Sequence, residues 1–372
     1  MKKIIIFVTH SLGEIDIILP ILSALNSKNK IKIFFIVDDF YYQFIDNKFY
    51  MFCVKKLNIK LHRFKLFNKY EFKKIQEKNK LIYYFYRLFY LFKTFSILNH
   101  FVSSDIYMHE TSNQKSVTNI LLFFAKLFKK KIYVYHHGQS INRTTKGLSK
   151  IESADKKLFL LFHEECKEWA KGMGYIKQHT IGLPVFFKEW TLLIKEYHNK
   201  LDTQNKHILI FTRGIHYHYM DEDKYITMLK SSYKLIRKIH GNTKIVIRPH
   251  PREDISFLKN IFKKNNMTNI EISYEYSGIL AMNSICVISF WTSAILISLS
   301  LKIPSIEYYI EAKNFRLTEY PNGSEYRDPI FDIQCTDQEG DLEAYLLKVR
   351  DGYNFNFKKI SKNFQTQNLD CF

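Results

Sequence analysis

Residues Ile247-Arg248-Pro249-His250-Pro251-Arg252-Glu253 bring one imidazole and two guanidiniums into a single short stretch. The run Lys244 to Arg248 reads as a strand that delivers Arg248 to its carboxyl end, and the prolines flanking His250 hold the adjoining loop extended. Open α/β sheets bind ligands outside the carboxyl ends of their strands, and a cluster of this kind there suits a phosphate. Further on, Ser289-Phe290-Trp291-Thr292-Ser293 lies between a predicted strand and a predicted helix. Hydroxyls of Ser289, Thr292 and Ser293 with helix N-terminal amides would form a second anion cradle. A loop histidine or a Ser/Thr helix cap is ordinarily structural, but the two groups in consecutive β-loop-α units point to function. Arg213-Gly214 directly follows a strand read at His207 to Phe211 and adds a phosphate or carboxylate contact. Asp221-Glu222-Asp223 has the D-x-D spacing of a divalent-metal site, yet it precedes a helical run from Lys224, where acids complement the helix dipole. His216 and His218 lack a third ligand at metal spacing. No metal or other cofactor is expected.

The N-terminal half offers candidates for a general base. Thr9-His10-Ser11-Leu12-Gly13-Glu14-Ile15-Asp16 follows the first strand and opens the first helix, so Glu14 or Asp16 is either a base or a dipole-complementing acid. Tyr135-His136-His137-Gly138-Gln139 ends another strand, and a histidine titrating near neutrality suits deprotonation of a hydroxyl, which makes His137 their rival. Packing or substrate binding is the commoner role of such a histidine. Glycines number only 12 in 372 residues, so Gly138 marks a tight backbone approach.

On His250-Pro251 and Thr292-Ser293 together, the chain resembles GT-B-fold transferases of bacterial surface-polysaccharide assembly, of sialyltransferase, polysialyltransferase, capsule and teichoic-acid type. The resemblance covers the two-domain layout and is motif-specific over residues 247–307. It implies that His250 and Thr292-Ser293 meet the donor's nucleotide phosphate, and that Leu301 to Glu307 closes the donor site with Glu307 on the ribose or base. Tyr135 to Gly138 is similar to the W-H-G of teichoic-acid glycerophosphotransferases, in which the histidine is the candidate base. Sialyltransferase-type enzymes carry an acidic-acidic-glycine motif, whereas here Glu14 and Asp16 follow Gly13 and are split by Ile15. The implied activity is metal-independent, inverting glycosyl transfer from a nucleotide-activated sugar, CMP-linked first, to a glycan or lipid-linked acceptor. CDP-polyol phosphotransfer and sugar-nucleotide epimerisation are the alternatives on the same fold.

The elements that must position these residues alternate between apolar β-type runs and helix-period segments, the signature of parallel α/β architecture. Strands are predicted at Lys3 to Val8, Ile31 to Val37, Ile106 to His109, Ile132 to Tyr135, Leu158 to Phe162 and His179 to Gly182. After the Gly182-Leu183-Pro184 turn the pattern restarts with strands at His207 to Phe211, Lys244 to Arg248, Ile285 to Ser289 and Ser305 to Glu307. Helices are predicted between them, among them Ile15 to Asn26, Val117 to Phe128, Lys224 to His240, Ile255 to Lys264 and Thr292 to Leu301. The expected fold is GT-B-like: two Rossmann-like domains, an acceptor domain over 1–184 and a donor domain over 185–372, with an interdomain cleft. A chain of 372 residues is long enough for that, at about 150 residues per domain.

Composition narrows the classes further. A net charge of +20 implies an anionic partner: nucleic acid, a lipid surface or a phosphorylated substrate. No helix-turn-helix, zinc-finger or RNP sequence supports nucleic acid. No Walker A sequence occurs, and Gly172-Met173-Gly174 lacks the third glycine of a dinucleotide fingerprint. Five cysteines without a C-x-x-C pair fit a reducing cytoplasm, and the apolar run after Lys3 is too short for a signal peptide. Residues 60–101 hold ten Lys/Arg and thirteen Phe/Tyr, with Lys80, Arg87 and Thr94 on one helical face. Such a helix lies on an anionic inner-membrane surface or covers a core as a solvated basic helix. Ser277 to Leu301 is free of charge over 25 positions, but its six serines and its β-type centre read as a buried strand-turn-helix unit rather than a membrane span.

Overall fold

The computed structural model describes residues 2–8, 12–25, 29–36, 38–64, 81–82, 84–85, 88, 92, 95, 97–111, 117–135, 150–151, 154–201, 206–216, 220–251, 253–310, 334–357 and 367–372. Thirteen strands among them form two wholly parallel sheets. The first comprises β1 (Lys3–Val8), β2 (Lys30–Phe35), β3 (Ile59–Arg63), β4 (Ile106–Glu110), β5 (Lys131–Tyr135), β6 (Leu158–Leu161) and β7 (Lys177–Thr180), in the order β3-β2-β1-β4-β5-β6-β7. Central strands such as β1 are buried along nearly their whole length because crossover helices cover both faces of a parallel sheet, which is why they read as unbroken apolar runs. Helix Ile15–Ala24 connects β1 to β2 and buries Ile15, Ile17, Ile18, Leu19, Ile21 and Leu22. Two further helices, Asp38–Asp46 and Lys48–Lys56, connect β2 to β3.

The second sheet comprises β8 (His207–Phe211), β9 (Ile245–Arg248), β10 (Ile270–Ile272), β11 (Ser284–Ser289), β12 (Ser305–Tyr308) and β13 (Gln334–Thr336), in the order β10-β9-β8-β11-β12-β13. Both sheets therefore reverse direction beside their first strand, the 3-2-1-4-5-6 order of Rossmann-like domains. Helix Glu222–His240 packs Tyr225, Met228, Leu229 and Ile236 into the second core beside Leu342, Tyr345 and Leu346 of helix Glu339–Arg350. Its N-terminus is capped by Asp221, whose side chain accepts from the Lys224 N–H at 3.0 Å, so the D-x-D segment serves the helix end. The charge-free run resolves into helix Ser277–Met282, β11, a turn and helix Ile295–Ser300. Among the described residues no helix is long and apolar enough to cross a membrane.

The chain forms two compact units that divide at Trp190 and Thr191, inside helix Lys188–His198. The first holds β1–β7 and also takes in Gln367–Phe372, so the C-terminal residues return to the N-terminal sheet. There the Tyr133 hydroxyl donates to the Cys371 carbonyl, the Phe372 ring meets Tyr133 edge-on with ring centroids 4.9 Å apart, and the Asn368 N–H donates to the Ile181 carbonyl at 3.3 Å.

Candidate functional site

In the second unit the register of the sheet sets Arg248, Phe211, Ser289 and Glu307 in one row across β9, β8, β11 and β12. Three residues expected at the donor site, Arg248 and Ser289 toward its phosphate and Glu307 toward its ribose or base, thus share the carboxyl edge of the sheet, at the point where strand order reverses. Ser289 and Glu307 are buried and Arg248 is half-buried, its Nε donating to the Glu275 carbonyl at 3.0 Å.

The loops beyond that row are tied together. Arg213, two residues past β8, donates to the Trp291 carbonyl at 3.0 Å and lays its guanidinium 4.7 Å from the centre of the Trp291 ring. Trp291 in turn stacks on Tyr309, just past β12, with ring centroids 5.1 Å apart. Its backbone sits at φ 50°, a strained conformation for a bulky residue that these contacts hold in place. The turn after β11 differs from expectation. Its helix begins at Ile295 rather than Thr292, because Ser289 Oγ accepts from the Thr292 N–H at 3.4 Å and Thr292 Oγ1 accepts from the Ala294 N–H at 3.3 Å. These hydroxyls stabilise their own turn, and Ser293 is the exposed member of the group.

His250 is half-buried on the loop after β9, and its peptide is held by Glu253, to which the sequence assigned no role. Glu253 Oε2 accepts from the His250 N–H at 3.0 Å, and the Glu253 N–H donates to the His250 carbonyl at 2.9 Å. The same carboxylate accepts from Thr212 Oγ1 at 2.6 Å and from the Tyr225 hydroxyl. Burial pushes the Glu253 carboxyl above the ordinary carboxylate range against the pull of these three donors. Its place three residues after His250 and directly before the helix cap Asp254 was the available signal.

The first unit gathers a second polar group at the carboxyl ends of β1, β4 and β5. Glu14 is fully buried and accepts from the Tyr135 hydroxyl at 3.3 Å. Glu110, also fully buried, accepts from Thr111 Oγ1 at 3.0 Å and pairs with Tyr135 in the sheet register. Lys157 and His109 are buried as well. Burial and the Lys157 charge lower the His109 imidazole to about 3, while its Nδ1 lies 2.8 Å from the Glu110 carbonyl. Burial, reinforced by the Glu14 charge, raises the hydroxyls of Tyr107 and Tyr135. Glu110, His109 and Lys157 were not singled out from the sequence: His109 read as the last residue of its strand, Glu110 follows it, and Lys157 precedes β6. Asp16 is placed differently: its Oδ1 accepts from the Tyr50 hydroxyl at 2.7 Å, a contact with helix Lys48–Lys56. His137 and Gly138 lie outside the described residues, as do Thr9 to Ser11, Arg252, His218, Lys80, Arg87 and Thr94. Among the described residues, no group of three or more His, Cys, Asp or Glu side chains could hold a metal ion.

No family model matches the chain, and no curated protein matches it. Solved structures do. UDP-GlcNAc 2-epimerase from Methanocaldococcus jannaschii, in complex with UDP-GlcNAc and UDP, is similar with a TM-score of 0.53 at 13% identity, over 97% of this chain and 98% of that one. The wall teichoic acid polymerase TagF gives 0.54 at 13% identity, over 98% of this chain and 85% of that one. Anabaena Alr3699/HepE in complex with UDP and glucose gives 0.54 at 8% identity, over 98% of this chain and 96% of that one. At these identities the likeness is one of fold, and it joins the two parallel sheets described above into one conclusion: the chain has a GT-B-like fold built from two Rossmann-like domains.

Proposed function

We propose that this chain is a nucleotide-sugar-dependent glycosyltransferase of cell-surface polysaccharide synthesis, of the capsule or lipooligosaccharide kind, which binds its donor in the second unit. The observation that carries this reading is the row of Arg248, Ser289 and Glu307 at the reversal point of the second sheet, with Arg213 and the His250 loop beside it. Guanidiniums and an imidazole stabilise the negative charge that builds on a departing phosphate, while a base in the first unit takes the proton of the acceptor hydroxyl. Glu14, Asp16 and His137 are the candidates for that base. Inversion follows from a single in-line displacement of this type.

The donor we assign is a CMP-activated sugar of the sialic-acid or Kdo class, with CDP-polyol next. Its single phosphate suits a compact site supplied by arginine and histidine, and a lone phosphate needs no metal to bridge a second one. Calorimetric titration in EDTA with CMP, CDP and UDP tests the assignment; UDP binding far more tightly than either cytidine nucleotide would overturn it. The His250→Ala variant is expected to lose about 2.7 to 4 kcal/mol of transition-state stabilisation if His250 acts as a leaving-group donor. Wild-type turnover by a folded variant would remove His250 from the mechanism. The likeness to the UDP-GlcNAc 2-epimerase structure in complex with UDP-GlcNAc and UDP supports a second reading, epimerisation of a UDP-sugar. Turnover of a UDP-sugar without any acceptor would favour it.

A cytoplasmic enzyme of this kind meets a lipid-linked acceptor at the inner membrane face, and we assign that contact to the segment 60–101. Most of the segment lies outside the described residues, but Phe85, Leu88, Phe92 and Phe95 are helical and exposed, at spacings that place them on one face. Exposed Phe123 and Leu127 flank Lys126 on the helix whose Phe124 touches Phe95, with ring centroids 6.0 Å apart. Sedimentation with vesicles containing or lacking anionic lipid is the test, and absence of binding to both refutes it.

A further inference from the structure

We propose that Glu253 is the positioning residue of the donor site, a carboxylate clasp that fixes the loops after β8 and β9 and so determines where Arg213 and His250 stand. The proposal rests on the donor-site reading above and adds a residue which that reading does not contain. One carboxylate receives three donors from three different elements: the Thr212 hydroxyl at the end of β8, the Tyr225 hydroxyl on helix Glu222–His240, and the His250 N–H after β9. The Glu253 N–H closes the loop by donating to the His250 carbonyl at 2.9 Å, so both polar groups flanking the His250 α-carbon are held by a single residue. Arg213 is reached through its neighbours. Thr212 precedes it, and Gly214 follows it at φ 65°, where an added Cβ would stand 3.3 Å from both Cβ and Cγ of Glu253. The backbone on both sides of Arg213 therefore lies directly against the clasp.

The chemistry of the side chain explains why a carboxylate suits this position. An ionised carboxyl has only acceptor sites and can satisfy all three donors, whereas an amide presents one acceptor oxygen and turns an N–H toward at least one of them. Burying such a group is costly, and burial raises the Glu253 carboxyl accordingly. That cost falls on a residue whose hydrogen bonds join the loops of the candidate site, which is the pattern of a support for functional side chains rather than of a core contact.

The test compares Glu253→Gln and Glu253→Asp with Asp254→Ala, which removes the cap of the following helix and serves as a structural control. The first readout, in ligand-free protein, is the ring resonance of His250 and its pH titration. The second is the calorimetric affinity for CMP, CDP and UDP. Both Glu253 variants are expected to move the His250 titration and to weaken nucleotide binding on the order of tenfold, the scale of one buried unsatisfied hydrogen bond. Asp254→Ala is expected to lower stability and leave both readouts in place. Unchanged His250 resonance and affinity in Glu253→Gln would overturn the proposal, as would an equal disturbance of both by Asp254→Ala. If Glu253→Gln does not fold, Thr212→Val removes one donor and keeps the carboxylate; it is expected to shift the His250 resonance in a smaller step, and no shift overturns the clasp. A wild-type protein that binds none of the three nucleotides sinks the donor-site reading instead, and the His250 resonance then decides the clasp alone.

Discussion

Arg213 donates to the Trp291 carbonyl and lies over the Trp291 indole, and the stack on the ring suits a planar, delocalised cation. Arg213→Lys keeps the charge but loses the stack on Trp291 and the forked geometry toward a phosphate. Nucleotide affinity is expected to fall on the order of tenfold with little change in unfolding temperature, as read by calorimetry and thermal denaturation. Two buried titrating groups give opposite pH trends. Glu253 binds its proton more tightly when folded, so its ionisation removes stability as pH rises from the unfolded value through the raised folded one. Glu253→Gln abolishes that downward trend, whatever its effect at a single pH. His109 is lowered to about 3, so its contribution is present above the unfolded value of 6.5 and is lost as pH falls below it. His109→Gln is expected to flatten the acid limb of a urea-denaturation series followed from pH 7 to pH 4. At this scale the sequence exposed Arg248, Ser289 and Glu307 through their places at strand ends. It did not expose Glu253, because the value of a carboxylate there depends on Thr212 and Tyr225, donors far away along the chain.

Helix Ser277–Met282 carries a glycine in a crowded position. A Cβ on Gly278 would lie 2.7 Å from the Tyr276 ring and 3.1 Å from the Ile194 terminal carbon. Tyr276 is buried and has no room to retreat, so Gly278→Ala is expected to cost about 1 to 3 kcal/mol of unfolding free energy by overpacking, despite the better helix propensity of alanine. The same contrast between crowded centre and open edge explains which elements can be read from the sequence. β1, β8 and β11 are buried on both faces, and their apolar runs match the strands to within a residue. β3, β10 and β13 are edge strands of three to five residues that carry Lys60, His62, Glu271 and Gln334, and their composition is that of a loop. The helices from Asp38 to Lys56 were not read from the sequence; each is nine residues long, and they follow one another directly with only Asn47 between them.

Across the whole molecule, the alternation of strand and helix was enough to anticipate two parallel sheets, and the order of their strands places the candidate donor residues at a reversal point. The charge of +20 is consistent with partners that carry phosphate, on the donor or on a lipid surface. That alternation gave no hint of the chain's last turn: residues Gln367–Phe372 belong to the first unit, although the entire second unit precedes them in sequence. During synthesis the first sheet must therefore persist without those contacts on Tyr133 and Ile181 until every strand of the second has been made. Removing residues 367–372 is expected to lower the unfolding temperature of the first unit while CMP affinity stays unchanged, and a loss of affinity would refute that separation. A segment joined after Phe372 would therefore press on the unit that holds Glu14, not on the unit that immediately precedes residues 367–372 in sequence.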